Sequence, residues 1–155
     1  MKIIGIDPGT GITGFGVIEA GKDSYRLIDA GVIRTPANSP LPARLDTIFQ
    51  HLEEIIAEHG PDAMAVEKIF FSQNVTTAIS VSHARGVVLL VGQRAGMPIS
   101  EYTPLQIKQA LTGYGRAEKS QVQQMVKTML KLKETPKPDD CADAIAAAIC
   151  HAMTV

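Results

Sequence analysis

Four carboxylates are set apart by where they fall: Asp7, Glu67, Asp140 and Asp143. Asp7 closes the apolar run Ile3-Ile4-Gly5-Ile6 and opens the turn Pro8-Gly9-Thr10. Asp-Pro-Gly makes a good turn unaided, with Asp capping it and Pro and Gly setting its dihedrals. The end of a buried strand, however, also fixes a carboxylate so that it faces a cleft. Glu67 interrupts Ala63-Met64-Ala65-Val66-Glu67-Lys68-Ile69-Phe70. A carboxylate there is costly to bury unless it is paired or bound to metal. The alternative is that Glu67 and Lys68 mark where the strand leaves the core. Asp140 and Asp143 are three apart and share one side of a helix, while Asp139 serves the helix start. Capping and dipole compensation account for Asp139 and Asp140. They suit Asp143 less well, since it lies a full turn in, amid Ala142, Ala144, Ile145 and Ala146.

The set says more than its members. Like charges brought together repel, and a divalent cation removes the repulsion. Hard oxygen ligands with open positions suit magnesium, with manganese as a substitute. Two such ions can activate water and stabilise the leaving oxygen of a phosphodiester.

The elements that must position these groups follow from pattern. Lys2 to Asp7 reads as a buried strand, and Thr13 to Ala20 and Tyr25 to Thr35 complete an antiparallel meander. Leu41 to His59 carries Leu45, Ile48, Phe49, Leu52, Ile55 and Ile56 at helical spacing, with Pro42 in its first turn and Gly60-Pro61 as its stop. Ala63 to Phe70 is a strand. Asn74 caps a helix to about Ala95, and Ile99 to Thr103 is a short strand. Helices are predicted over Pro104 to Leu111, Glu118 to Leu132 and Asp139 to His151. A meander followed by helix–strand alternation predicts an α/β fold: a mixed sheet, antiparallel then parallel, with helices on both faces.

At 155 residues the chain is expected to form one domain, 1–155. A net charge of -1 and a sequence pI near 6.4 do not by themselves suggest a nucleic-acid partner. The average hides a split. Pro40 to Glu67 carries six acids against Arg44 alone, and Tyr102 to Lys133 carries six bases against Glu118 alone. The second stretch can form a basic face, although solvated helix faces are the usual meaning of such runs. Cys141 and Cys150 sit nine apart in one predicted helix and are not expected to pair, and no Cys/His cluster has zinc-finger spacing. A reducing cytoplasm suits such a chain. No signal peptide is expected, since Met1-Lys2 runs straight into a strand. No membrane span is expected either, because the longest apolar run, Val87 to Gly92, is short.

Taken in order, Ile3-Ile4-Gly5-Ile6-Asp7-Pro8-Gly9-Thr10, Val66-Glu67-Lys68-Ile69-Phe70, Glu101-Tyr102 to Gln109, Ala117-Glu118-Lys119 and Asp140-Cys141-Ala142-Asp143-Ala144 resemble the RuvC family of crossover (Holliday) junction resolvases over essentially the whole chain. The resemblance implies an RNase H-like fold. It also implies a homodimer and magnesium-dependent cutting of two symmetric strands of a four-way DNA junction, in recombination and repair. The family's four acids fall on Asp7, Glu67, Asp140 and Asp143, the third being His in some members. Its DNA-contacting lysines match Lys108 and Lys119. The basic stretch agrees, and Arg116 in the Gly-rich loop Thr112 to Arg116 is placed to track a phosphate. The family's aromatic after the strand acid matches Phe70, with Phe71 beside it. A Phe pair after a strand reads first as core, and stacking on an unpaired base is the functional alternative. The family works with a branch-migration helicase and its junction-binding subunit.

Two other readings stand beside this one. The Asp-Pro-Gly-Thr turn before a hairpin is similar to the first phosphate loop of actin-like ATPases and sugar kinases, but those folds need a second nucleotide loop. A non-catalytic junction-binding module would need the basic face but not four acids. The apolar succession Val87 to Leu90 and Val91 covers every azimuth of its helix, which suits a helix facing the sheet on one side and a second subunit on the other, with Val88 or Leu89 outward.

Overall fold

The computed structural model describes residues 1–68 and 75–155. Among the described residues ten elements follow in order: β1 (Lys2–Asp7), β2 (Ile12–Ala20), β3 (Tyr25–Arg34), α1 (Leu41–His59), β4 (Ala63–Glu67), α2 (Val75–Arg94), β5 (Ile99–Tyr102), α3 (Pro104–Thr112), α4 (Lys119–Met129) and α5 (Asp139–Thr154). The five strands form one sheet in the order β3-β2-β1-β4-β5. β1 runs antiparallel to β2 and parallel to β4, and β5 is parallel to β4. The expected meander and the expected parallel half thus meet at β1.

Alternation along β1 divides the core in two. Ile3 packs with Ala65, Ile107, Val126, Ile145 and Ile149, under α3, α4 and α5. Its neighbour Ile4 packs with Ile48, Leu52, Met64, Val66 and Val88, under α1 and α2. Successive side chains of a strand point to opposite faces, so adjacent isoleucines serve different layers.

α5 lies unusually close to the sheet because glycines make room for it. A methyl at Gly5 would stand 1.9 Å from the Ala144 carbonyl oxygen, and one at Gly14 would stand 2.0 Å from that of Asp140. Only backbone without Cβ permits this approach.

Two element ends differ from the pattern reading for reasons visible in the backbone. β4 ends at Glu67, not Phe70, although the Lys68 amide still reaches the Tyr102 carbonyl at 2.7 Å. The proposed cap Asn74, like Phe70 and Phe71, lies outside the described residues. α4 stops at Met129 because Lys131 adopts φ 54. The Leu132 amide then bonds to the Lys127 carbonyl and the Lys131 amide to that of Thr128. This is a glycine-type helix ending made with lysine, so the usual sequence marker is missing.

α2 corrects the reading of its outward face. Val88 is fully buried in the cluster under α1, and Leu89 packs against the same cluster. Beyond Val75 at its first residue, the large apolar side chains of α2 that face out are Ile79 and Leu90, 53% and 52% exposed. Eleven residues bring a helix back to within roughly 20° of the same azimuth, so the two share a stripe. By length and composition alone α2 could cross a bilayer, with mean hydropathy 1.4. Its Ala84, Val88 and Val91 are packed into the protein core.

Candidate active site

Asp7 ends β1, where the sheet changes from antiparallel to parallel pairing, and Glu67 ends its parallel neighbour β4. Ile6 pairs with Val66 in the parallel ladder, so the two acids stand next to one another. Both lie on the face that carries Ile3 and Ala65, beneath α5. α5 brings Asp143 to the same place from above, one turn in from its start. One carboxylate oxygen from each of Asp7, Glu67 and Asp143 lies within 4.8 Å of the others.

Burial and repulsion shape the charges. Asp7 is 8% exposed. Its carboxyl is pushed up to about 9, first by burial and then by the Glu67 charge and a hydrogen bond to Glu67, with Asp143 and Asp140 adding to the rise. Glu67 is also raised by burial, opposed by its hydrogen bond from Asp7 and by Lys119. Asp143 is raised by burial, and Lys119 works against the shift. Three acids that resist ionising together are a set that a divalent cation relieves. All the donors are hard oxygens, and the groups sit at one end of a cleft, so the residues fit a hard divalent metal ion.

Asp140 stands apart from this closest group. Its charge is felt by Asp7, Glu67 and Asp143, and its backbone lies against Gly14, the antiparallel partner of Asp7. It and Asp139 occupy the first turn of α5, but neither caps it: the N-cap is Pro138, with no side-chain hydrogen bond. Asp139 is exposed and receives Gln123 Nε2 at 3.2 Å.

The cluster opens into a cavity of about 200 Å³ walled by Lys108 from α3 and Lys119 from α4, with Ile107 and Val122 forming its apolar side. Lys119 is not a free helix lysine. Its Nζ is 3.2 Å from Asp143 and 3.5 Å from Asp139, with the side chain 53% exposed. Lys108 is half-buried on α3, and Arg116 is exposed in the connection between α3 and α4. Two side chains escaped the pattern reading. Thr10 in the turn after Asp7 and Thr13 at the start of β2 are buried, and the Thr13 hydroxyl donates to the Gly9 carbonyl at 2.6 Å. Their signal was two hydroxyl residues in a segment otherwise made of glycine and isoleucine.

A mixed sheet of this order, with acids ending the adjacent parallel strands β1 and β4 and a third on the helix laid across them, defines a metal-dependent nuclease of the RNase H-like class. The family model for crossover junction endodeoxyribonuclease RuvC matches residues 3–151. Over 153 residues the chain is 57% identical to the RuvC crossover junction endodeoxyribonuclease of Desulforamulus reducens, covering 99% of this chain and 94% of the relative. It is 55% identical over 155 residues to that of Desulfitobacterium hafniense, covering 100% and 94%. The structure of T. thermophilus RuvC in complex with Holliday junction substrate superposes with a TM-score of 0.95 at 39% identity, covering 99% of this chain and 94% of that one. The chain belongs to the RuvC family of crossover junction endodeoxyribonucleases. It is an endonuclease.

Proposed function

We propose that the chain resolves four-way DNA junctions by magnesium-dependent hydrolysis of phosphodiesters in two symmetric strands, in recombination and repair. The observation that carries this is the group of three carboxylates within 4.8 Å at the end of a lysine-walled cavity. In this reading Asp7, Glu67 and Asp143 hold the metal, and Asp140 adds charge from the helix start. Magnesium, or manganese in its place, supplies an activated water and charge neutralisation at the departing oxygen. Asp7, whose carboxyl burial and the neighbouring acids push up, must first lose its proton. Lys108 and Lys119 attract the phosphate backbone into the cavity, and Arg116 takes a phosphate beyond it. Phe70, with Phe71 beside it, stacks at the opened centre of the junction.

Two matched cuts call for two identical sites related by a two-fold axis, which a homodimer supplies. The stripe of Ile79 and Leu90 on α2 is the apolar surface offered for it. The chain then works in the cytoplasm as a single nuclease domain, beside a branch-migration helicase and its junction-binding subunit. T. thermophilus RuvC, 39% identical, is a protein solved with Holliday junction substrate, and this supports the choice of DNA. The test is a synthetic four-way junction with and without magnesium. Paired, symmetric nicks that need the metal are expected; tight binding without cleavage, or equal cutting of linear duplex, would overturn the reading.

A further inference from the structure

The turn that aims Asp7 is held by hydroxyls outside the carboxylate cluster. Thr10 Oγ1 donates to the Ser80 carbonyl at 2.5 Å and accepts from the Ser80 hydroxyl at 3.0 Å. The Thr10 carbonyl accepts the Thr35 hydroxyl at 2.5 Å, and the Thr35 amide donates to the Gly11 carbonyl at 3.0 Å. Arg44 Nε donates to Thr35 Oγ1 at 2.8 Å. Thr10 and Thr35 are 4% and 7% exposed. Buried hydroxyls are expensive to leave unpaired, and here they satisfy one another across α1, the end of β3, the β1–β2 turn and α2.

α2 is seated unevenly. None of its residues from Val75 to Ser82 is buried, and the first that is buried is Ala84. Apolar packing therefore fixes the second half of the helix, while the Thr10–Ser80 pair gives the first half a specific place. That place is against the turn three residues beyond Asp7.

We propose that Thr10 is a positioning residue for the metal cluster. Its side chain, clasped by Ser80, sets the turn that aims the Asp7 carboxylate, so that seating the first half of α2 becomes a condition for metal affinity. The inference rests on the metal-dependent reading above. Neither hydroxyl touches the reacting atoms; both act through the backbone between Asp7 and Thr10. A purely structural role would lower stability but leave metal affinity unchanged at temperatures where the protein is folded.

Calorimetric titration of manganese into the full chain without DNA separates the two. Thr10→Val keeps the branched shape and removes the hydroxyl, Thr10→Ser restores it, and Ser80→Ala removes one of the paired hydroxyls. The Kd for manganese is expected to rise roughly tenfold in Thr10→Val, the low end of losses seen when groups behind metal ligands are removed. A smaller rise is expected in Ser80→Ala, and a Kd within about twofold of the parent in Thr10→Ser. Single-turnover cleavage of bound junction should fall in step and be partly recovered by more metal. Parent-like affinity in a folded Thr10→Val protein, or no recovery in Thr10→Ser, overturns the proposal. Should Thr10→Val fail to fold, parent-like affinity in Ser80→Ala overturns it alone. A parent that binds no metal removes both this inference and the reading beneath it. A parent that binds metal but cuts no junction removes only the latter, and the same Kd values still decide on Thr10.

Discussion

Asp7 and Glu67 end neighbouring parallel strands and stand side by side, and burial holds the carboxyls of both above the ordinary carboxylate range. A proton and a divalent cation therefore compete for the same oxygens, and this competition sets how the protein responds to pH and to metal.

Stability in chelator should fall as pH rises. The folded chain keeps the Asp7 proton until about 9, whereas an ordinary Asp releases it at 3.8. Between those values the folded state binds more protons than the unfolded state, so the slope of unfolding free energy with pH is negative. The melting temperature of the parent should decline from pH 5 to pH 9 in chelator. Asp7→Asn should flatten that decline, melt higher at pH 8, gain less from magnesium and lose cleavage while still binding junctions. A variant that cuts normally would reduce Asp7 to a turn residue.

Lys119→Ala should weaken junction binding and flatten its log-log salt dependence by roughly one unit. Because Lys119 is paired with Asp143 and Asp139 at 3.2 and 3.5 Å, the change should also ease the metal's access to Asp143. The half-exposed pair limits the stability loss to about 1 kcal/mol or less. Binding at several salt concentrations and urea unfolding check the two parts. An unchanged salt slope would make the lysine only a partner of the acids.

Gly5→Ala should lift α5 from the sheet, since the new methyl would meet backbone at 1.9 Å. Overpacking of this kind costs about 1–3 kcal/mol. Urea unfolding should place the loss at the upper end of that range. Thermal shifts should show a weaker response to magnesium, because Asp143 moves with the helix. A full magnesium response would mean that α5 tolerates the methyl without displacing its acid.

Leu90→Glu, alone or with Ile79→Glu, should give a folded monomer that binds junctions weakly and nicks one strand at a time. Both side chains are more than half exposed, so the fold should survive. Sedimentation at micromolar concentration reads the outcome directly. A monomeric parent with full paired cleavage would end the dimer proposal.

Phe70→Ala distinguishes a core ring from a junction contact. Truncating a buried Phe costs about 3–5 kcal/mol. A stacking ring should leave the melting temperature nearly unchanged and slow cleavage, and a large drop in melting temperature would return Phe70 to the core.

Much of the fold was legible because local pattern and tertiary structure agree. The helical stripe and its Pro and Gly punctuation placed α1 at Leu41–His59, bounds that the structure reproduces. The meander and the parallel half followed from strand order. Lys131 was not legible, since a lysine with positive φ looks like any other lysine in a helical run.

The sequence by itself determined which residues are chemically unusual: an acid in an apolar strand, an acid ending another, and two acids on one side of a helix. Burying a carboxylate is costly enough that such placements are visible without coordinates. Tertiary structure alone decided which of them meet. Spacing puts Asp140 and Asp143 on one side of α5, but how far that helix sinks onto Gly5 and Gly14 determines that Asp143 joins Asp7 and Glu67 in the closest group while Asp140 does not. The run Val87 to Val91 likewise has no polar residue to mark an outer side. Only docking against α1 and the sheet turns Val88 inward and leaves Leu90 in solvent, because packing of this kind is a property of two surfaces and is not encoded in either one alone.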